Sequence, residues 1–218
     1  MAISHSHYDH TGGLEAVMQK HPGLPVYANA DVFRPKYSLH DGNYDMSGFE
    51  LSREDYEQRA DWRLSSGPTE IFPSLWTTGE IMNRDESEGR SAGHHVREGG
   101  KFVPDPYRDD MSLVLKTKDG LAVICGCCHA GLLNTLFHVE RSFEDPIIAV
   151  LGGTHLMTAD GKLLDHVINV LGEQYSDILF YLNHCTGGDA IKALANAFGK
   201  RVQPFPAGAV ATFKDQLI

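Results

Sequence analysis

Ser4-His5-Ser6-His7-Tyr8-Asp9-His10-Thr11-Gly12-Gly13 places four metal-capable side chains, His5, His7, Asp9 and His10, within six residues. In an extended conformation His5 and His7 point to the same side, because strand side chains repeat with period two. Asp9 and His10 follow where the chain is expected to turn, just before a glycine pair and an amphipathic run. Such a stretch can give two ligands to one metal ion and two to a neighbouring one. Imidazole nitrogens and a carboxylate suit Zn²⁺, Mn²⁺ or Fe²⁺. The interleaved Ser, Tyr and Asp exclude a polyhistidine tag.

Further along, three stretches share one plan: an apolar run, then a Gly-rich turn that carries a histidine. They are Gly126-Cys127-Cys128-His129-Ala130-Gly131, Gly152-Gly153-Thr154-His155-Leu156 and Asn183-His184-Cys185-Thr186-Gly187. Glycine lets a backbone come close to a metal, an anion or another backbone. One such histidine would more often be structural. Three of them, beside the opening cluster, point to one shared site.

His5-Ser6-His7-Tyr8-Asp9-His10 resembles the H-x-H-x-D-H signature of the metallo-β-lactamase-fold hydrolases. With the three later stretches, the chain resembles the branch of 7,8-dihydropterin-6-methyl-4-(β-D-ribofuranosyl)aminobenzene-5′-phosphate synthase, from residue 3 to about residue 205. The resemblance implies an α/β fold, the αββα four-layer sandwich. That sandwich would be N-terminally shortened, because only Met1-Ala2-Ile3-Ser4 remains of the strand that leads into the signature. It implies one or two divalent transition metal ions, Zn, Mn or Fe, with Mg as a harder alternative. His184 would join Asp9 and His10 at one ion, and His5, His7 and a further histidine would hold the other; His129 is a candidate ligand near the bridging position, with His155 beside it. Two departures stand out. Residues 104–110 lack the histidine that the wider superfamily carries before its last hairpin. Cys127, Cys128 and His129 stand where a bridging carboxylate is usual. A thiolate ligand is open there, beside the commoner role of cysteine as a buried small hydrophobe. One ion is expected to be held tightly and the second more weakly.

A metal ion acidifies water toward neutrality and polarises a phosphoryl or carbonyl oxygen. Asp9 can orient that water or take its proton, and His155 is the second candidate catalytic residue. Metal-dependent hydrolysis of a phosphorylated or ester substrate is the expected function. The resemblance implies a different use of the same Lewis acid, condensation of a dihydropterin diphosphate with an aminobenzene ribofuranosyl phosphate and loss of pyrophosphate. A metal-binding remnant without turnover is the non-catalytic reading. Candidate substrate contacts are Glu80, in a Thr-Gly-Glu-Ile segment similar to one in the branch, Arg84, whose planar fork suits a phosphate, and Thr186.

The remaining chain is expected to form one domain over residues 1–218. Leu14, Val17 and Met18 share a helical face ended by Pro22-Gly23. Residues 24–28 read as a strand. Residues 31–70 read as an irregular insertion with a helix over 52–62, and its 34–50 part as a lid or a surface excursion. A strand is expected over 75–81, and a loop over about 84–110 in which His94 and His95 are ordinary loop histidines. Lys118-Asp119-Gly120 turns a hairpin. Helices then alternate with buried strands: 130–139, 147–151, 162–171 closed by Gly172, 178–182, and 189–198 closed by Gly199. Pro204 to Gly208 begin a tail that ends in a short strand.

With 218 residues, 42% of them hydrophobic, the chain can bury one sizeable core. The formal net charge is −10 and there is no basic run, which argues against nucleic acid. No stretch of 18 apolar residues is present, so no membrane span is expected. No signal peptide is visible, and the four clustered cysteines read as reduced thiols, which together imply the cytoplasm. The expected partner is a phosphorylated small molecule, and the chain is allowed to be a homo-oligomer.

Overall fold

A computed structural model of the protein describes residues 1–213. In chain order, the signature closes in a single helical turn, α1 (Tyr8–Thr11), followed by α2 (Leu14–Lys20) and strand β1 (Pro25–Ala28). β2 (Lys36–His40) and β3 (Asn43–Met46) form a hairpin, and α3 (Arg53–Glu57) leads into β4 (Asp61–Leu64), β5 (Thr69–Phe72) and β6 (Leu75–Thr77). Two more hairpins follow, β7 (His94–Glu98) with β8 (Lys101–Pro104) and β9 (Leu113–Lys116) with β10 (Leu121–Cys125). The remainder alternates: α4 (Leu132–Ser142), β11 (Ile147–Gly152), α5 (Gly161–Gln174), β12 (Leu179–Leu182), α6 (Gly188–Phe198) and β13 (Val202–Pro204).

Seven strands make the main sheet in the order β13-β12-β11-β10-β9-β6-β5. β10 to β13 are parallel neighbours, as connections through α4, α5 and α6 require, and the β9–β10 hairpin turns the rest antiparallel. Alternation along β10 divides its side chains. Leu121, Val123 and Cys125 enter the core beneath the three helices, with Leu132, Leu136, Val167, Leu171 and Leu194. Ala122 and Ile124 face the opposite layer, with Ala149 and Leu151. A second cluster joins α2 to β1 and β4 through Ile3, Leu14, Met18, Val26, Tyr56 and Trp62. No helix of the described residues is long and apolar enough to cross a membrane.

Several sequence expectations need correction. Val17 is 37% exposed, because α2 buries only the i, i+4 pair Leu14 and Met18. The helix expected over 52–62 ends at Glu57, although Ser52 and Asp55 form its capping box. Asp61–Leu64 instead pairs with β1, so that Trp62 and Leu64 reach the second cluster. The span 84–110 is not all loop. His94–Glu98 alternates, Gly99-Gly100 supplies the turn with positive φ at both residues, and β7–β8 join β2–β3 in a four-stranded sheet, order β3-β2-β7-β8. The span 31–70 combines irregular backbone with the β2–β3 hairpin, α3 and β4. Gly172 does not close α5, which runs on to Gln174; a glycine inside a helix costs only about 1 kcal/mol. After β13, residues 205–213 form no strand, and the remainder of the expected short strand lies outside the described residues.

Candidate metal centre

The signature enters beside β1. Ala2 bridges Tyr27, and the Ile3 amide donates to the Tyr27 carbonyl at 2.9 Å. The extended backbone then sends His5 and His7 to one side, with ring centroids 4.7 Å apart, and Ser6 to the other. Ser6 gives its amide and its hydroxyl to Asp109 Oδ2, at 2.9 and 3.0 Å. Asp109 Oδ1 accepts from Lys36 Nζ at 2.6 Å, and Lys36 also donates to Asp105 Oδ1 at 3.1 Å. Residues 104–110, which lack the expected histidine, thus buttress the signature from behind. Burial works to lower the Lys36 pKa, but Asp109 and Asp105 outweigh it and raise it. Lys36→Met leaves two buried carboxylates without a cation and is expected to cost about 3–5 kcal/mol in a urea melt. An unchanged midpoint would show that the triad does not hold the signature.

Each of the three later turns contains one left-handed non-glycine residue, Cys128 beside His129 in the first and the histidine itself in the other two. Cys128, His155 and His184 have φ of 61°, 49° and 49°, a left-handed conformation that is uncommon for non-glycine residues. The glycines of these motifs let the turns interlock. A Cβ on Gly126 would lie 2.3 Å from Ser4 Oγ, and one on Gly153 would lie 2.5 Å from the Gly126 carbonyl. Asp110 holds the Cys128–Ala130 turn by accepting the Ala130 amide at 2.9 Å, and burial pushes its carboxyl up to about 7. His129 Nδ1 lies 2.9 Å from the Gly89 carbonyl, so it carries the proton and leaves Nε2 free.

Seven donors converge in two sets, each with its ligand atoms within 4.8 Å of one another. The inner set is His5, His7 and His129, all buried, and the Nε2 atoms of all three lack any hydrogen-bond partner. Burial lowers all three pKa values, that of His7 to about 2, so these imidazoles are neutral, the form that binds metal. Buried nitrogens with free lone pairs and no partner are costly unless an ion uses them. The outer set is Asp9, His10, Cys127 and His184. His10 Nε2 is 3.2 Å from His184 Nε2, and Asp9 Oδ2 is 3.4 and 3.3 Å from the two. Donors about 2.0–2.1 Å from a tetrahedral ion are spaced about 3.3–3.4 Å apart. The outer set fits a divalent metal by this spacing, and the inner set by its three converging, unpartnered imidazole nitrogens. The His5 and His10 rings, 4.3 Å apart, join them.

Both sets open on a cleft of about 460 Å³, lined by His7, Asp9, His129, His155 and His184 among others. His155 stands 4.3 Å from the His129 ring with Nδ1 unpartnered. Catalytic candidates Asp9 and His155 and all the proposed ligands, His5, His7, Asp9, His10, His129 and His184, are thus brought together. The three substrate candidates are not. All three donor nitrogens of Arg84 are spent on the Ile81, Pro106 and Tyr107 carbonyls, so it straps a loop. Thr186 is fully buried and its hydroxyl accepts the Thr154 amide at 3.1 Å, tying the His155 and His184 turns together. Glu80 lies outside the cleft lining, where its amide donates to Ser66.

Two residues join the site against expectation. His94 lies 4.4 Å from the His7 ring and bonds Tyr107 OH through Nδ1 at 3.1 Å. The alternation His94/Val96 against His95/Arg97 was the available signal that it faces inward. Cys127 Sγ lies 3.1 Å from His10 Nε2, whereas Cys128 enters the helix-covered core. Its hydrogen bond to Cys185, with the Cys127 S–H as donor, and then burial, push the Cys127 thiol well above the ordinary range. Ser38 and Ser47, from the β2–β3 region, also line the cleft, as a substrate-contacting excursion would.

No family model matches the chain. It is 27% identical over 219 residues to 7,8-dihydropterin-6-methyl-4-(β-D-ribofuranosyl)-aminobenzene-5′-phosphate synthase of Methanocaldococcus jannaschii, covering 97% of this chain and 74% of the relative. An uncharacterized protein of the same organism is 30% identical over 196 residues, covering 89% and 72%. Among solved structures, a metal-dependent hydrolase of the β-lactamase superfamily superposes with a TM-score of 0.76 at 26% identity, covering 91% of this chain and 73% of that one. The chain is therefore an enzyme of the metallo-β-lactamase superfamily and belongs to the branch of this synthase and its uncharacterized relative.

Proposed function

We propose that the enzyme is a metal-dependent hydrolase of a phosphorylated or ester small molecule. The observation that carries this reading is the pair of adjacent donor sets opening on one cleft. Divalent ions held there would supply Lewis acidity to an attacking water and to the substrate oxygen it approaches. Asp9 Oδ2 faces His10 and His184; in this reading the Asp9 carboxylate orients the water and takes its proton. His155, on the wall beside His129, orients the substrate. No lysine or arginine lines the cleft among the described residues. Countercharge for an anionic substrate must therefore come from the ions, so chelation should abolish substrate binding as well as turnover.

The similarity to the synthase over nearly the whole chain favours a second reading, in which an aromatic amine replaces water and pyrophosphate leaves. Parallel assays separate the two. A generic phosphodiester hydrolysed without any amine supports the first reading. Pyrophosphate released from a pterin diphosphate only when the amine is present overturns it in favour of the second. In either assay His94→Ala is expected to lower turnover by about 10–100-fold, as loss of a group beside the ligands does, with metal content retained. Loss of metal together with activity would make His94 a ligand instead.

A further inference from the structure

We infer that Cys127 is a metal ligand, so that the outer set is a mixed oxygen, nitrogen and sulfur centre that selects Zn²⁺-like ions over Mn²⁺ and Mg²⁺. This rests on the metal reading above and extends it to one side chain.

The two consecutive cysteines have opposite surroundings. Cys128, at φ 61°, reverses the chain, and its Sγ meets Thr135 Oγ1 at 3.2 Å beneath α4. Cys127 lines the cleft, and its Sγ shares one cluster with Asp9, His10 and His184. Cys185 also lines the cleft, but its thiol donates to the Cys127 carbonyl at 3.6 Å and lies outside the set. Cys127 is only 3% exposed, so its sulfur meets the ligand atoms and little solvent. Four donors of three kinds converge from three separate turns to within 4.8 Å of one another, the number that a tetrahedral ion takes, and sulfur is the donor that distinguishes zinc from the hard ions. Coordination replaces the S–H bond with a metal–sulfur bond and releases one proton to solvent; nothing is oxidised or reduced. The thiolate therefore forms only with the ion.

Titrating the metal-free full chain with Co²⁺ tests this without any assay of activity. Wild type and Cys128→Ser are expected to develop a near-ultraviolet thiolate-to-cobalt charge-transfer band, and Cys127→Ser to bind Co²⁺ without it. In Cys127→Asp the preference for Zn²⁺ over Mn²⁺ is expected to fall at least about tenfold, as a hard ligand replaces a soft one. Cobalt bound to wild type with no charge-transfer band, or a band that survives in Cys127→Ser, would overturn the inference and leave the metal reading intact. Failure of wild type to bind either metal would overturn both. If the Cys127 variants do not fold, X-ray absorption of zinc-loaded wild type decides: a sulfur neighbour at about 2.3 Å is expected, and its absence overturns the assignment.

Discussion

His10→Ala and His184→Ala are each expected to lower turnover by at least about 10³-fold, because lost Lewis acidity removes several kcal/mol and each 1.36 kcal/mol is tenfold in rate. Both rings lie at the centre of the outer set, 3.2 Å apart at Nε2, and Asp9 reaches both. Removing either takes one of the four donors from the ion, weakens its hold and disengages the carboxylate that should take the proton. The fold is expected to survive. The His184 side chain is 42% exposed and touches the set rather than the core, so, compared with chelated wild type, the chelated variant's thermal midpoint should hardly move. Cys128→Ser is the contrasting case: its sulfur lies in the core and most of the activity should remain. Steady-state kinetics with metal analysis on the same samples would check this. Wild-type turnover in His184→Ala at reduced metal content would show that the outer set is not catalytic.

The second large effect concerns acid. Chelated protein is expected to be folded near pH 7.5 and to lose most of its stability by about pH 4. His5, His7 and His129 are held neutral, chiefly by burial, with pKa values well below the unfolded value of about 6.5. For a base whose folded pKa is depressed, the unfolded state binds more protons below that value. Stability is therefore complete above about pH 6.5 and falls as pH drops toward the folded pKa. Neighbouring His10, His94, His155 and the Lys36 ammonium act in the same direction, and the bond to the Gly89 carbonyl opposes at His129, as Asp105 and Asp9 do at His94. Asp110, raised to about 7, gains stability as pH falls and offsets one histidine. The net of two groups is about 3 kcal/mol per pH unit, enough over two units to consume much of a typical 5–15 kcal/mol. A bound ion occupies the same lone pairs, so the metal-loaded protein should unfold at lower pH. Thermal melts of chelated and loaded protein across pH 4–7.5 give the answer. A chelated protein with a flat profile would contradict the burial of these rings as neutral bases.

What could be read from residues alone was set by local pattern. His5, His7, Asp9, His10, His129, His155 and His184 declared themselves because short apolar runs end in Gly-rich turns, a local signal that survives without tertiary information. Parallel strands such as Ile147–Gly152 announced themselves as continuous apolar runs. The misses were tertiary. Asp61–Leu64 became a strand through pairing with Pro25–Ala28, 36 residues away. His94 was hidden because its hairpin is polar, and only the docking of that hairpin on the signature brings it to His7. Arg84 had the chemistry of a phosphate ligand, but the carbonyls that absorb it lie about twenty residues downstream. Cys127 and Cys128 are adjacent in sequence and opposite in role because of one left-handed residue, Cys128 itself.

The most direct test of the account is metal stoichiometry on purified wild type, His184→Ala and His129→Ala, by elemental analysis after equilibration with excess Zn²⁺ and removal of free ion. With two donor sets, wild type should hold up to two ions per chain, and each variant should lose the ion of its own set and retain the other. Wild type without metal, or variants with the full wild-type content, would contradict the claim that these three turns and the opening signature assemble one metal centre.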